Sequence, residues 1–481
     1  MRSFLSFGVL GLALVGCGTD DTDTETDVVD TDTDVAVETA RVRVVHASSD
    51  APAVDVYVKG SIEPVAAGLV YGAATGYVEV PAGDYTFEIR AAGADPTSAP
   101  VFTTPVIALP AGATASAIAA GFLAGSGNEA FRVLPVVEAY ADAGPDAFRA
   151  IVVHATPNAP EVGVDVGVDG VAELALDTYA NTAAEGLDLP ASAFGVAIWA
   201  GTTKVTQFSV PALPAGENVL LIAAGNLGAR PGDNDGFSIL AVFPDATAAR
   251  VKQDPQVVVL HAGPDAPPVD LFAGTAEIAS DIAFGELSSV IQVPPGTYDV
   301  DIFGATAGST RPAGSPAFTV NDLTVAAGDR VLAVAKGFLA PGAGEAAFGV
   351  QPYADGFAAD ADSARVVAIH ASGDAPPVDV GVSSACKVSS VVYADVAFGE
   401  ASAAAGAELP GATYTLGVAG VGSTAALVEF PVTVAAGTRL WAVAGGAFSP
   451  VGEQPGFQIL AVNAGVWPYT VASVAVKGCA T

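Results

Sequence analysis

The chain's four histidines stand at 46, 154, 261 and 370, separated by 108, 107 and 109 residues. Each lies in the same kind of block: VRVVHASSDAPAVDVYV from Val42, AIVVHATPNAPEVGVDVGV from Ala150, VVVLHAGPDAPPVDLFA from Val257 and VVAIHASGDAPPVDVGV from Val366. A period above 100 residues exceeds a solenoid unit, which reaches about 50, and matches whole domains in tandem. The chain must therefore fold as one kind of module made four times.

Three further blocks recur in the same order. A turn and an alternating strand come first: VPAGDYTFEI at Val80, LPASAFGVAI at Leu189, VPPGTYDVDI at Val293 and LPGATYTLGV at Leu409. A second hairpin-like block follows, from Leu109, Leu213, Val325 and Val434, and a short apolar strand closes each repeat. The pattern predicts about seven short strands per repeat, with a turn signal about every ten residues. In the first repeat they fall near 41–47, 53–59, 73–80, 84–91, 101–108, 114–121 and 131–137. No long apolar stripe at helical spacing is present. Period-two patterns of this kind are buried by packing sheet on sheet. The expected fold is all-β: four tandem immunoglobulin-like β-sandwich domains, with the strand order left open.

Composition agrees. Charged residues make up only 15% of the 481, while 54 glycines and 33 prolines favour many short strands over long helices. Hydrophobic residues reach 51% and mean hydropathy is +0.49, which excludes wholesale disorder. With 52 acidic against 18 basic side chains the net charge is −34, which argues against nucleic acid as a partner.

The first residues read as an address. Met1-Arg2 precedes an apolar run, Phe4 to Val15, that is short for a membrane span and suits a signal-peptide core. It ends in Leu14-Val15-Gly16-Cys17, which resembles the bacterial lipobox, so Cys17 is the expected lipidation site and the lipid anchor the expected link to a membrane. Several acyl chains on one residue, at about 0.8 kcal/mol per buried CH₂, make a stable anchor. Gly18 after the cysteine, by resemblance to lipoprotein sorting in Gram-negative cells, points to the outer membrane. Residues 19–39 carry nine acidic side chains and no basic or aromatic one, which reads as an extended, self-repelling tether. The run lacks the Gly turn and terminal Glu of an EF-hand-like loop. The expected organisation is a signal peptide over 1–16, a lipidated Asp/Thr-rich tether over 17–39, and repeats over 40–144, 145–252, 253–361 and 362–481, the last with a C-terminal extension. Each repeat carries a full set of strands, so each is expected to fold alone.

With these blocks laid out, the opening motif, roughly R-[VI]-x-V-[VIL]-H-A-x-x-[DN]-A-P-x-V-D-V, resembles the bacterial and archaeal domain-of-unknown-function family numbered 4397, over nearly all of residues 40–470. The resemblance implies an extracytoplasmic β-rich module, often tandem and often lipid- or wall-anchored. It supplies no catalytic or binding residues.

The motif still brings histidine and carboxylate together. His46 has Asp50 at +4 and Asp55 at +9; His261 has Asp265 and Asp270; His370 has Asp374 and Asp379. His154 has Asn158 at +4, and Gly163 stands where the others have the second Asp. A carboxylate-oriented general base is conceivable, but no Ser or Cys nucleophile recurs beside it, and one histidine per domain is too few for zinc. No catalytic residue, metal site or cofactor is assigned. Each His shares a strand face with small apolar residues, as with Val44 and Val42, and is expected to tie down the Asp-Ala-Pro turn through backbone or carboxylate hydrogen bonds. Cys386 and Cys479, the two remaining cysteines of an exported chain, are expected to form a disulfide that clips the Trp467–Val476 extension over the last sandwich. The expected function is a non-enzymatic structural or adhesion lipoprotein of the cell envelope. A glycan- or peptide-binding lipoprotein is the alternative, with an envelope protein or glycan as partner, and a secreted hydrolase ranks last.

Overall fold

The structure, a computed structural model, describes residues 37–359 and 362–479. The apolar leader, Cys17 and nearly all of the acidic run lie outside the described residues. Among those described, the regular structure is strand apart from one short 3₁₀ turn at Gly127–Glu129, and no helix is long and apolar enough to cross a membrane.

The first repeat contains β1 (Thr39–His46), β2 (Val54–Val58), β3 (Pro64–Leu69), β4 (Val78–Pro81), β5 (Gly83–Tyr85), β6 (Phe87–Ala91), β7 (Phe102–Thr103), β8 (Ile107–Leu109), β9 (Thr114–Ala120) and β10 (Arg132–Val137). They form two four-stranded sheets, ordered β10-β9-β1-β4 and β3-β2-β6-β7, with β5 and β8 paired beside them. The other repeats reproduce both orders. The tandem sandwiches expected from the sequence are present. Their strand order departs from the seven-strand A-B-E-D over C-F-G arrangement. Here β1 lies inside its sheet, antiparallel to β4 and parallel to β9, with Val45 opposite Ile118. Two differences from the expected strands stand out. β3, PVAAGL, shows no alternation, and its pairing with β2 is interrupted by register shifts, so no period-two signal marks it. The segments expected over 84–91 and 101–108 are each broken into two short strands.

The parallel pair is buried on both faces. Val42, Val44 and His46 point into their own sandwich, whereas Val45 and Ala47 point the other way and are 0% and 1% exposed. Two-sided burial matches the near-continuous apolar runs of these strands, TARVRVVH and TASAIAA, better than one-sided alternation does. The outer face is covered by the next repeat. Val45, Ala47, Ile118 and Ala120 pack in one cluster with their counterparts Val153, Ala155, Ile222 and Ala224. In the same way Leu260, Ala262 and Val334 pack with Ile369, Ala371 and Val443. Matching positions meet matching positions, so each interface is built like an isologous dimer contact within one chain. The four sandwiches are two face-to-face pairs, first with second and third with fourth.

The junction between pairs is polar. Gln207 donates to Asp254 at 2.8 Å, Gln292 to Thr206 at 3.0 Å, and Arg230 reaches the carbonyl oxygens of Asp355 and Phe357, both at 2.9 Å. The Asp355 side chain is wholly buried, and its carboxylate meets Arg230 at 3.3 Å and the Tyr469 hydroxyl at 2.9 Å. In the last repeat, Thr470–Val474 adds a strand beside Gln458–Asn463, and Lys477–Gly478 crosses to pair with Val428–Glu429 of the opposite sheet.

This packing changes the expectation that each repeat folds as an independent unit. Residues 253–361 taken alone would expose Val258, Leu260, Leu332 and Val334, all at most 1% exposed in the chain. Leu332→Ala removes side-chain volume from the interface between the third and fourth repeats. It should lower stability by about 2–5 kcal/mol, the range for a buried leucine truncation. Urea denaturation measures it, and a loss comparable to that of a surface substitution would show that this interface is not a core.

Candidate functional site

Each motif histidine ends its strand and turns inward. The Nε2 nitrogen of His46 lies 3.1 Å from the Pro52 carbonyl oxygen; for His154, His261 and His370 the partners are Pro160 at 2.9 Å, Pro267 at 3.1 Å and Pro376 at 3.1 Å. A carbonyl only accepts, so Nε2 carries the proton and donates. Nδ1 is buried with no hydrogen-bond partner in any of the four. Burial lowers the pKa of all four rings below 6.5, against the partial compensation of the proline carbonyl bond. The rings are therefore neutral near pH 7. Three pack edge-on against an aromatic ring: His46 on Tyr71, His261 on Phe284 and His370 on Phe398, with centroids 6.3 Å apart in each.

The carboxylates do not orient the histidines. The residue at +4 holds the loop after the strand parallel to β1, some 70 residues away. Asp50 accepts from the backbone N–H groups of Leu123 and Ala124, Asp265 from Leu339 and Ala340, and Asp374 from Phe448 and Ser449, at 2.7–3.0 Å. Asn158 accepts from Leu227 at 3.1 Å and donates to Asn226 at 2.9 Å. The Asp at +9 staples an irregular stretch of the neighbouring strand to a turn. Asp55 accepts from Gly68 and Gly93, Asp270 from Asp281 and Thr306, and Asp379 from Asp395 and Gly422. The two backbone donors hold the Asp379 carboxyl below the usual range.

The second repeat shows what Gly163 replaces. Asp165, two residues on and on the same strand face, is 0% exposed and accepts from Asp169, Gly170 and the Trp199 indole. Trp199 lies opposite Gly163 in the register, where a β-carbon would sit 3.0 Å from the Ala172 methyl and 3.6 Å from the Trp199 β-carbon. Asp165 thus ties the hairpin after its own strand, a different corner from the one Asp55 holds, and the glycine makes room for the tryptophan beside it.

A further tie was not anticipated. Tyr85, Tyr298 and Tyr414 donate their hydroxyls to the carbonyls of Pro81, Pro294 and Pro410, four residues upstream, at 2.7–2.8 Å. The signal lies in the Pro-x-x-x-Tyr spacing of the turn blocks, and the second repeat has Phe194 there instead.

The expected disulfide is present: Cys386 and Cys479 are bonded, with α-carbons 5.7 Å apart. It anchors Lys477–Gly478 to the Ser384–Lys387 hairpin tip. Glu429 lies beneath, accepting from Ser383 Oγ at 2.6 Å and Cys386 N–H at 2.7 Å. Closing 93 residues contributes roughly 4–5 kcal/mol in the chain-entropy model. Cys479→Ser should lower the fourth repeat's stability by up to that amount, read in denaturant melts with and without reductant. An unchanged midpoint would mean the clip adds nothing to the native fold.

Because the ring contact is with a backbone carbonyl in every copy, His154→Ala should cost about as much as His261→Ala, about 1–3 kcal/mol. Equilibrium denaturation of the two variants compares them. A much smaller loss at His154 would return the main role to the carboxylates. The lowered pKa sets the pH dependence: the unfolded chain binds protons near 6.5 and the folded chain only below that. Stability should be full above pH 6.5 and fall as the pH drops through the folded value. A midpoint that rises on acidification would contradict this.

Comparison with known proteins yields a family and little else. No curated protein matches. Among solved structures, the Bacillus anthracis TIE protein aligns over 85% of this chain and 69% of its own, at 11% identity and a TM-score of 0.13, too low to carry any argument. A family model described as "Domain of unknown function (DUF4397)" matches residues 40–166 and 255–381. Each match runs from the opening block of an odd repeat through that of the even repeat beside it. On these matches, spanning more than half the sequence, the chain belongs to the DUF4397 family.

Proposed function

We propose that this protein is a non-enzymatic lipoprotein of the cell envelope, held by Cys17 and presenting paired β-sandwich modules as a structural or adhesive element at the surface. The observation that carries the reading is the use made of the motif. The imidazole Nε2 and the carboxylate oxygens at +4 and +9 are engaged by backbone groups of their own module. The most recognisable residues of the repeat thus serve its architecture. The buried junction through Arg230, Asp355 and Tyr469 supports a stiff element, because relative motion of the pairs would strand a buried carboxylate. The lipobox supports the address and the acidic run supports a spacer between membrane and first module.

Cys17→Ser should abolish incorporation of labelled fatty acid and shift the protein from the membrane to the soluble fraction. Equal labelling of both forms would exclude Cys17 as the anchor. Screening the chain from residue 37 onward on a glycan array separates the structural reading from its alternative: saturable binding to one glycan class would favour the ligand-binding lipoprotein.

A further inference from the structure

The two pair interfaces use matching positions but fill them differently. Where the first repeat has Arg43, the others carry Ile151, Val258 and Val367; where it has Ser116, they carry Leu220, Leu332 and Trp441. Arg43 is 1% exposed. Its Nε donates to Ser116 at 2.7 Å, one terminal nitrogen to Glu138 at 2.9 Å, and the other crosses the interface to the Phe243 carbonyl of the second repeat at 2.7 Å. Tyr77 donates to Glu138 at 2.8 Å, with its ring 4.7 Å from the guanidinium. Here the odd repeat supplies the bulk and the even repeat supplies a main-chain acceptor beside a short turn, closed by Phe243 N–H donating to Thr247.

In the other pair the bulk comes from the even repeat. The third repeat offers Val258 and Leu332, and the fourth inserts Trp441 together with Trp467 and Tyr469. Trp441 lies 4.9 Å from Phe357 and 5.0 Å from Tyr469 between ring centroids, and Arg330 sits 4.0 Å over Trp467.

We propose that these complementary fillings form a pairing code, in which the buried Arg43–Ser116–Glu138 set is the specificity element that assigns the first repeat to the second. The surrounding positions are apolar in all four repeats except one, where the third repeat has Lys336, set 4.2 Å over Phe398 of the fourth, in place of Ala120, Ala224 and Gly445; that lysine marks the third repeat and leaves discrimination of the first to its own polar set. Seating the first repeat on the fourth places Arg43 against Trp441 and Tyr469, overfilling the space and depriving a buried donor of the Phe243 carbonyl. Seating the third on the second leaves a void where Arg43 stood. Specificity therefore rests on what the wrong pairs lose. Four similar faces on one chain, and the same faces on neighbouring copies, make such selection necessary during folding.

The test uses the full-length chain with cysteine reporters. A β-carbon at Gly445 lies 3.3 Å from the Ala262 methyl, so A262C/G445C reports the native contact of the third and fourth repeats. Ala47 holds the position of Ala262 in the first repeat, so A47C/G445C reports the wrong contact of first with fourth, within or between chains. Chains are refolded from denaturant in a thiol–disulfide buffer and cross-linked peptides are counted by mass spectrometry. With the polar set intact, A47C/G445C should give only a trace. The R43V/S116L/E138V variant should raise that yield by about tenfold or more, the factor for relieving one unmet buried donor, while A262C/G445C in the same background still forms. If that variant does not fold, R43K decides: a single ammonium cannot serve the three acceptors in line, so mispairing should rise severalfold at unchanged refolding yield. A47C/G445C yields no higher than with the intact set, in the folded triple variant or in R43K, would overturn the proposal.

Discussion

The parallel contact between the first strand of each repeat and the strand about 70 residues further on sets the rest of the architecture. It places two apolar strands side by side at the middle of a sheet, with side chains alternating to both faces. A central strand with Val and Ile on both faces cannot leave either to water. One face closes the sandwich, and the other needs a second apolar sheet. The neighbouring repeat supplies it, and small residues such as Ala47 and Ala155 keep the contact close. Pairing of the modules thus follows from how the central strands are buried.

The histidine motif belongs to the same logic. A strand that ends at a buried imidazole needs a partner for the ring N–H, and the proline carbonyl six residues on provides one. The carboxylates at +4 and +9 then accept backbone N–H groups from loops and from strand positions where the register shifts leave the ladder incomplete. A conspicuous His-Asp spacing is here a set of staples between distant loops. The second repeat differs chemically: with Gly163 in place of the aspartate, Asp165 on the same face ties the hairpin that follows its own strand and adds a tryptophan as donor.

Two buried ion pairs stand at joints. The edge strands of both odd repeats lead into a linker pinned by an acid, Glu138 or Asp355. Each acid is met by an arginine and a tyrosine, Arg43 with Tyr77 or Arg230 with Tyr469. Such pairs add little net stability over an apolar filling, but separating their members is costly. They therefore hold geometry at the points where one module hands the chain to the next.

The fourfold repeat, the all-β class, the strand-ending histidines and the cysteine pair were legible in the sequence, because each rests on local spacing. The opening blocks carry their periodicity in a few residues, and two cysteines in one repeat leave one partner each. The additional strand β3 was not legible, since an Ala- and Gly-containing segment with register shifts shows no alternation. Nor was the face-to-face pairing: a run such as VVVLH fits a strand buried once or twice, and only the position of the next repeat decides which. The partners of Asp50 and Asp55 lie tens of residues away, where loop closure and not spacing brings them together. Arg43 reads as an ordinary surface residue until the fold puts a carboxylate, a hydroxyl and another module's carbonyl around it, because long-range hydrogen bonds leave no trace in local pattern.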